Sequence, residues 1–339
     1  MDIRVLDEGG AHMTKERTPE GNLSALSEFI LLGFSNFPHL QHLLFSVFLS
    51  TYLFTLAGNL LIIFLTHVDA ALQTPMYFFL RNLSFLEICY TTVNIPKMLV
   101  SLRTGDRRMS FLGCATQTYF SFSFGGSECF LLASMAYDRY VAICNPLHYF
   151  VLLNKKTCNA LAAGSWLSGI LISFGLTSMV FTLPFCRSNV INHYYCDIPP
   201  LLKLACVDTS LIEFCIFMLA LIFIAFPFVL IFLSYVRIVS TILKIASTEG
   251  RKKAFSTCSS HLIVVILFYV SGCVIYLKPK ADYSPDTNKF LSLLYTFLTP
   301  ILNPIIYTLR NKEVKGAFWR LLGKRRFACM KEVLPCHCL

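Results

Sequence analysis

The sequence predicts an all-α membrane protein, a seven-transmembrane helix bundle followed by a short amphipathic eighth helix. Three observations carry this reading. Seven stretches are apolar over roughly the 20 residues that an α-helix needs to cross a bilayer. Of the 339 residues, 55% are hydrophobic and only 14% are charged, against roughly 25% charged in soluble domains. The remaining charges gather between the apolar stretches, with Lys and Arg weighted to one side.

The chain divides into an N-terminal segment (1–42), a bundle (43–309) and a tail (310–339). Residues 1–28 are polar and mixed in charge, so no cleavable signal peptide is expected and targeting falls to the first span. The first dozen residues read as an extension, with Met13 as an alternative start. The spans are read at 43–66, 76–99, 112–143, 159–181, 213–238, 257–277 and 289–309. Pro96, Pro227, Pro300 and Pro304 fall inside them, where neighbouring helices can satisfy the carbonyls that proline frees. No fixed-period repeat and no inverted halves are visible in the sequence.

Orientation follows from the bases. Lys155, Lys156, Arg237, Lys244, Arg251, Lys252 and Lys253 fall in the inner loops, and the tail adds more from Arg310 to Lys331. The outer loops also hold bases, among them Arg103, Arg107, Arg108 and Arg187, so the bias is moderate. The N-terminus is placed outside and the C-terminus inside, in a multi-pass protein of the plasma membrane. The net charge of +10 is then a membrane-surface property. No basic tract with interleaved aromatics points to nucleic acid. In the tail, Val314, Phe318, Leu321 and Leu322 oppose lysines over 312–322, which predicts an amphipathic helix lying on lipid.

Of the 14 cysteines, Cys89, Cys129, Cys144, Cys158, Cys215, Cys258 and Cys273 fall in spans and read as small apolar fillers. Cys114, Cys186, Cys196 and Cys206 fall on the outer side. Four cysteines permit three pairings, and spacing does not choose among them. Cys329 is placed for palmitoylation beside the inner leaflet. The final CHCL imitates a prenylation box, but its middle positions are not aliphatic and the match is read as accidental. Asn22-Leu-Ser24 is a glycosylation sequon on the outer side; Asn82-Leu-Ser84, at the inner end of the second span, is expected to stay bare.

Six motifs stand in order. Gly58-Asn59 lies in the first span and PMYFFLRNLSFLE (75–87) enters the second. MAYDRYVAIC (135–144) closes the third and Ser234-Tyr235 ends the fifth. KAFSTCSSH (253–261) opens the sixth and PILNPIIYTLRN (300–311) ends the seventh. With Trp166 in the fourth span, the set resembles the vertebrate olfactory receptors, within the rhodopsin-like G-protein-coupled receptors, over residues 22–325. The motif wording and the third outer loop resemble the tetrapod-type class II, and a family-10-type branch in particular. Glu87 stands where the family usually has Asp, and Val270 where Gly usually follows Tyr269.

By themselves, Asp138 and Arg139 mark where a helix reaches water, because a charge at the bilayer centre costs about 2.5–3.5 kcal/mol on insertion scales. The resemblance gives them a further role. It implies a G-protein switch of Asp138, Arg139, Tyr140, Tyr235 and Tyr307, in which the acid holds the Arg until the sixth span swings out. It also implies the disulfides Cys114–Cys196 and Cys186–Cys206, which would hold a lid over the bundle. Beneath the lid it implies an odorant pocket lined by Ser121, Phe122, Gly125, Gly126, Leu219, Phe223, Tyr269, Gly272, Cys273, Tyr276 and Thr296. Such a lining is apolar with a few hydroxyls and suits small hydrophobic volatiles. Ser121 occupies the place of an amine-binding Asp, which argues against amine transmitters. Gly125-Gly126 reads equally as cavity volume or as close helix approach. Glu87 and Glu128, supported by Asn59 and Asn303, are expected to share a proton or hold a sodium ion.

The expected partners are a volatile odorant, an olfactory-type stimulatory heterotrimeric G protein that raises cAMP, and membrane lipid. No enzyme is expected. His261 lacks a motif partner, and Cys336, His337 and Cys338 have poor zinc spacing. A transporter or channel is the alternative; it would call for broken helices and a polar path, and only Glu87 and Glu128 are acidic deep in the spans.

Overall fold

The computed structural model describes residues 27–186, 188–276, 285–310 and 313–321; at 253, 257, 273–276, 285–288, 295 and 307–310 only the backbone is described. Asn22, Cys329 and the CHCL end lie outside the described residues. Among those described, seven long helices dominate. They are α1 (Gln41–Val68), α2 (Pro75–Thr104), α3 (Phe111–Cys144), α4 (Lys155–Phe181), α5 (Ser210–Leu243), α6 (Thr248–Tyr276) and α7, which runs as Pro285–Leu293, Leu294–Leu298 and Thr299–Arg310. A further helix, α8, covers 313–321.

By length and composition, five stretches can cross a membrane: Pro38–Val68, Lys155–Phe181, Ser210–Leu243, Thr248–Gly272 and Lys289–Ile306. The other two helices, α2 and α3, are long at 30 and 34 residues. They are diluted by Asn82, Glu87, Asn94 and Lys97, and by Gln117, Glu128 and a series of serines.

Local signals set the helix ends. Pro75 opens α2, where its missing N–H costs nothing. Gly105 closes α2 with φ 75°, a left-handed cap that glycine adopts without strain. The Ser110 hydroxyl accepts from Gly113 N at 3.0 Å to start α3, and Asn154 does the same for Thr157 N at 3.0 Å to start α4. Two turns of π-helix interrupt the regular ladder, Leu221–Ala225 in α5 and Leu294–Leu298 in α7. Each lies just before a proline, Pro227 and Pro300. Proline lacks the N–H for its i−4 carbonyl and clashes with it, and a widened turn relieves both.

Small residues decide the packing around α3. The buried residues of α4 include Ala162, Ser165, Gly169, Ser173 and Leu176, a stripe at spacings of three and four that faces α3. A Cβ on Gly169 would overlap the Ser123 carbonyl oxygen and the Ser127 hydroxyl. Ser127 Oγ donates to Ser123 O at 2.8 Å and lies 3.4 Å from Trp166 O, and Ser173 Oγ donates to Tyr119 O. Trp166 Nε1 donates to Asn82 Oδ1 at 3.3 Å, joining α4 to α2 and engaging the asparagine of the second sequon. At Gly58 a Cβ would lie 2.9 Å from the Pro304 ring, so α1 and α7 also meet closely.

One end carries a lid that contains a small sheet, an addition to the all-α expectation. β1 (Glu28–Leu31) pairs antiparallel with β2 (Arg108–Ser110), with Phe29 opposite Met109. It pairs in parallel with β3 (Val190–Ile191), with Ile30 opposite Val190. Loops folded against a bundle must pair their backbone groups, and a three-stranded ladder does so. Disulfides join Cys114 to Cys196 and Cys186 to Cys206, with Cα separations of 5.4 and 5.7 Å. Cys196 is held twice more by α3: its N–H donates to Gln117 Oε1 and its carbonyl accepts from Thr118 Oγ1, both at 2.9 Å. At the other end, Val314 and Ala317 of α8 are buried while Trp319 is exposed. Arg320 Nε donates to Asp69 Oδ2 at 3.0 Å, and Tyr77 OH to Glu313 Oε2 at 2.7 Å.

Gly169→Ala is expected to destabilise the bundle by about 1–3 kcal/mol, the usual cost of overpacking. Gly164→Ala, where a Cβ meets nothing within 4 Å, should be neutral. Thermal unfolding of the purified protein and surface delivery in cells check the pair; equal behaviour of the two variants would contradict the close approach.

Candidate ligand cavity and charged switch

A cavity of about 120 Å3 lies below the lid, bounded by α3, α4, α5 and α6, with Tyr90 of α2. Ser121, Phe122, Gly125 and Gly126 of α3 line one side, Leu219 and Phe223 of α5 another, and Tyr269 and Gly272 of α6 a third. Its polar groups are largely turned into the protein. Ser121 Oγ donates to Asn94 Oδ1 at 2.7 Å, and Tyr269 OH to Cys129 O at 3.3 Å. An apolar cavity of roughly 150 Å3 can hold benzene, so this one suits a small, largely hydrocarbon ligand.

The roof is aromatic. Tyr195 lines the cavity; His193 stacks on Tyr194 with centroids 4.6 Å apart, and Tyr195 meets both edge-on at 4.5 and 5.0 Å. Tyr194 OH donates to Thr296 Oγ1 at 3.0 Å, and His193 Nε2 lies 3.2 Å from Ser292 Oγ, so the lid is fastened to α7. Lys289, buried, donates to Gly33 O at 3.1 Å and brings in the segment before α1. Burial, followed by the charge of Lys289, pushes the His193 imidazole down to about 3, so it stays neutral in the lid at physiological pH.

At the far end of α3 lies the charged cluster. Arg139 Nε donates to Asp138 Oδ2 at 2.8 Å, and its Nη2 reaches the same oxygen. Tyr149, in the short helix Tyr149–Leu152, donates to Asp138 Oδ1 at 2.7 Å. Burial, then the charge of Asp138, raises the pKa of that phenol above its ordinary value, which keeps it protonated and a donor. Both charges are buried, Asp138 at 1% and Arg139 at 8% exposure. Beside them Tyr235 OH lies 2.8 Å from His261 Nδ1 and donates to Cys258 O at 3.2 Å, with the two rings stacked. Tyr140 stacks on Tyr137 at 6.4 Å.

Between cavity and cluster sits the acid pair. Asn303 Nδ2 donates to Glu87 Oε1, and Glu87 and Glu128 are hydrogen-bonded to each other. Asn59 Nδ2 donates to Thr55 O at 3.0 Å and reaches Pro300 O at 3.4 Å. Each of these four residues also buries an oxygen without a hydrogen-bond partner: Asn59 Oδ1, Glu87 Oε2, Glu128 Oε1 and Asn303 Oδ1.

The sequence model of the olfactory receptor family matches residues 48–325. The chain belongs to the olfactory receptor family. Among its relatives, olfactory receptor 10A7 of Homo sapiens is 56% identical over 304 residues, covering 90% of this chain and 96% of that one. Olfactory receptor 10A5 of the same species is 55% identical over 305 residues, covering 90% and 96%. Olfactory receptor 10C1, also human, is 55% identical over 303 residues, covering 89% and 97%. The family-10-type resemblance read from the motifs matches the names of these relatives.

In this olfactory receptor the side chains of Cys273, Tyr276 and Tyr307 lie outside the described residues. Thr296 does not line the cavity; its hydroxyl is engaged by Tyr194 in the roof. The wall assigned to the seventh span is supplied instead by α4, through Ile172 and Leu176. Sequence reasoning missed these two, Tyr195, and also Tyr90, Cys129, Ile216, Ala220, Ile224 and Phe268, although the place of Tyr195 beside a lid cysteine was a usable signal. It also gave His261 no partner, where the structure supplies Tyr235. For the paired glycines both readings hold at Gly126, which lines the cavity and would bring a Cβ within 3.3 Å of Gly169 Cα.

Gly272 is the cleaner probe of cavity volume, since a Cβ there meets nothing within 4 Å. Gly272→Val is expected to lower responses to bulky ligands at least tenfold while sparing the smallest. Dose–response curves over a homologous series of esters check this; a uniform loss across the series would contradict it.

Proposed function

We propose that this olfactory receptor spans the plasma membrane seven times, with the lid outside and α8 on the inner leaflet. On this reading it binds small hydrophobic volatiles in the cavity and activates an olfactory-type stimulatory heterotrimeric G protein, raising cAMP. The observation that carries it is the apolar cavity beneath the disulfide-held lid, on the same helix whose far end holds the Asp138–Arg139 pair. The ligand bridges α3, α5 and α6 and changes the relative energies of their packings; it shifts the equilibrium only by its differential affinity for the two states. At rest, Asp138 is shared between Arg139 and Tyr149. When α6 moves outward, Arg139 is released to meet the G protein, and Tyr235 leaves His261 to accompany it. Arg139→Ala should abolish odorant-evoked cAMP at matched surface expression, in cells supplied with the olfactory stimulatory α subunit and screened with volatile esters, alcohols, aldehydes and acids. Undiminished cAMP would sink the switch.

We also propose that Glu87 and Glu128 hold a sodium ion at rest, with Asn59 and Asn303 in support. Hard oxygen donors suit such an ion, and the four partnerless buried oxygens fit this role. The ion would supply positive charge that lets both carboxyl groups ionise together. Wild-type basal activity and thermal stability should respond to sodium exchanged for an inert cation at constant ionic strength, and Glu128→Gln should lose both responses. A sodium dependence identical in the two proteins would exclude this site.

A further inference from the structure

We propose that ligands enter and leave the cavity sideways from the bilayer, through the seam between α4 and α5, with Ile172, Leu176, Ile216 and Leu219 as its gate. This rests on the membrane and cavity reading above and adds the route.

The roof, the α3–α4 side and the floor are closed. Overhead, Tyr194, Tyr195, Cys196, Ile198 and Leu201 are all buried, and disulfide, sheet and hydrogen bonds to α3 and α7 fix them. On the α3–α4 side, the backbone approach at Gly169 leaves no gap. Below, Phe130 meets Phe223 at 5.8 Å and Tyr269 is bonded to Cys129 O.

The seam between α4 and α5 differs in three ways. The wall there is one side chain thick: Ile216 and Leu219 line the cavity, while Phe217 and Met218 between them are 44% and 41% exposed on the outer surface. Across the seam Leu171 and Phe174, flanking Ile172, are likewise exposed. The upper segment of α5, Ser210–Ala220, contains no buried residue, and its backbone has little contact with α4. Directly below it begins the π turn Leu221–Ala225, whose Phe223 and Ile224 line the cavity. A π turn is a local departure from the regular ladder that lets a helix segment adjust its register. The gate is thus aliphatic on both sides and adjoins the least constrained segment of the wall.

A hydrophobic ligand is enriched in lipid, severalfold for each added methylene. A mouth opening into the bilayer therefore meets a higher ligand concentration than one opening into water, and the ligand need not pass the roof.

Fluorine NMR exchange of fluorobenzene with the full-length receptor in lipid nanodiscs tests this, reading affinity and exchange rate together. Ile216→Trp should slow association and dissociation about tenfold with affinity within about twofold, and Ile216→Ala should speed both. Tyr194→Phe, which removes a roof bond, should leave the rates unchanged. Should the Trp variant lose binding by filling the cavity, Ile216→Ala decides. Unchanged rates in Ile216→Ala, or faster exchange in Tyr194→Phe alone, would overturn the lateral route while leaving the cavity intact. Failure of the wild type to bind fluorobenzene would instead overturn the cavity reading beneath it, and with it the route.

Discussion

The contact between α3 and α4 at Gly169 fixes the rest of the bundle. Two helices approach this closely only where one presents no side chain, and α4 presents glycine and serines along a single stripe. With α4 held against α3, the lid can be sewn to the top of α3 through Cys114, Gln117 and Thr118. The same contact draws α4 toward α3, and α5 is left to close the cavity with single-layer aliphatic contacts.

The cavity is apolar by arrangement as well as by composition. Ser121 and Tyr269 could offer hydroxyls to a ligand, yet Asn94 and the Cys129 carbonyl engage them. A ligand lacking hydrogen-bonding groups then leaves these two hydroxyls satisfied, and discrimination falls to volume and shape. Selectivity in such a site rests on size and stays modest, since a single methylene in an apolar pocket is worth only roughly 1–3 kcal/mol.

At the opposite end the chemistry reverses. Burying Asp138 and Arg139 is costly unless both are paired, and breaking a buried pair by removing one partner typically costs about 3–5 kcal/mol. Arg139 takes one carboxylate oxygen of Asp138 and Tyr149 the other, while Tyr235 meets His261 beside them. Such a matched set has few alternatives, which suits an element with two discrete arrangements.

Much of this was legible in the letters, because a bilayer converts apolar length directly into helices and the family motifs sit at helix ends where charge and proline have unambiguous meaning. Six of the seven helices appear within about five residues of their expected bounds, α6 begins nine residues earlier at Thr248, and eight of the eleven expected pocket residues line the cavity. Thr296 and the α4 wall were not legible: which face of a helix meets a cavity depends on its rotation and on neighbours distant in sequence. The π turns in α5 and α7 alter that rotation locally. The lid sheet was invisible because β1, β2 and β3 are two to four residues long and gain strand character only from one another. Sequence alone determined the family, the helices and the charged end of α3, since these follow from local composition. Only the tertiary structure decided that Thr296 serves the roof, that Tyr149 meets Asp138 and His261 meets Tyr235, and that α4 contributes to the cavity wall, because each depends on side chains far apart in sequence that meet only when the helices pack.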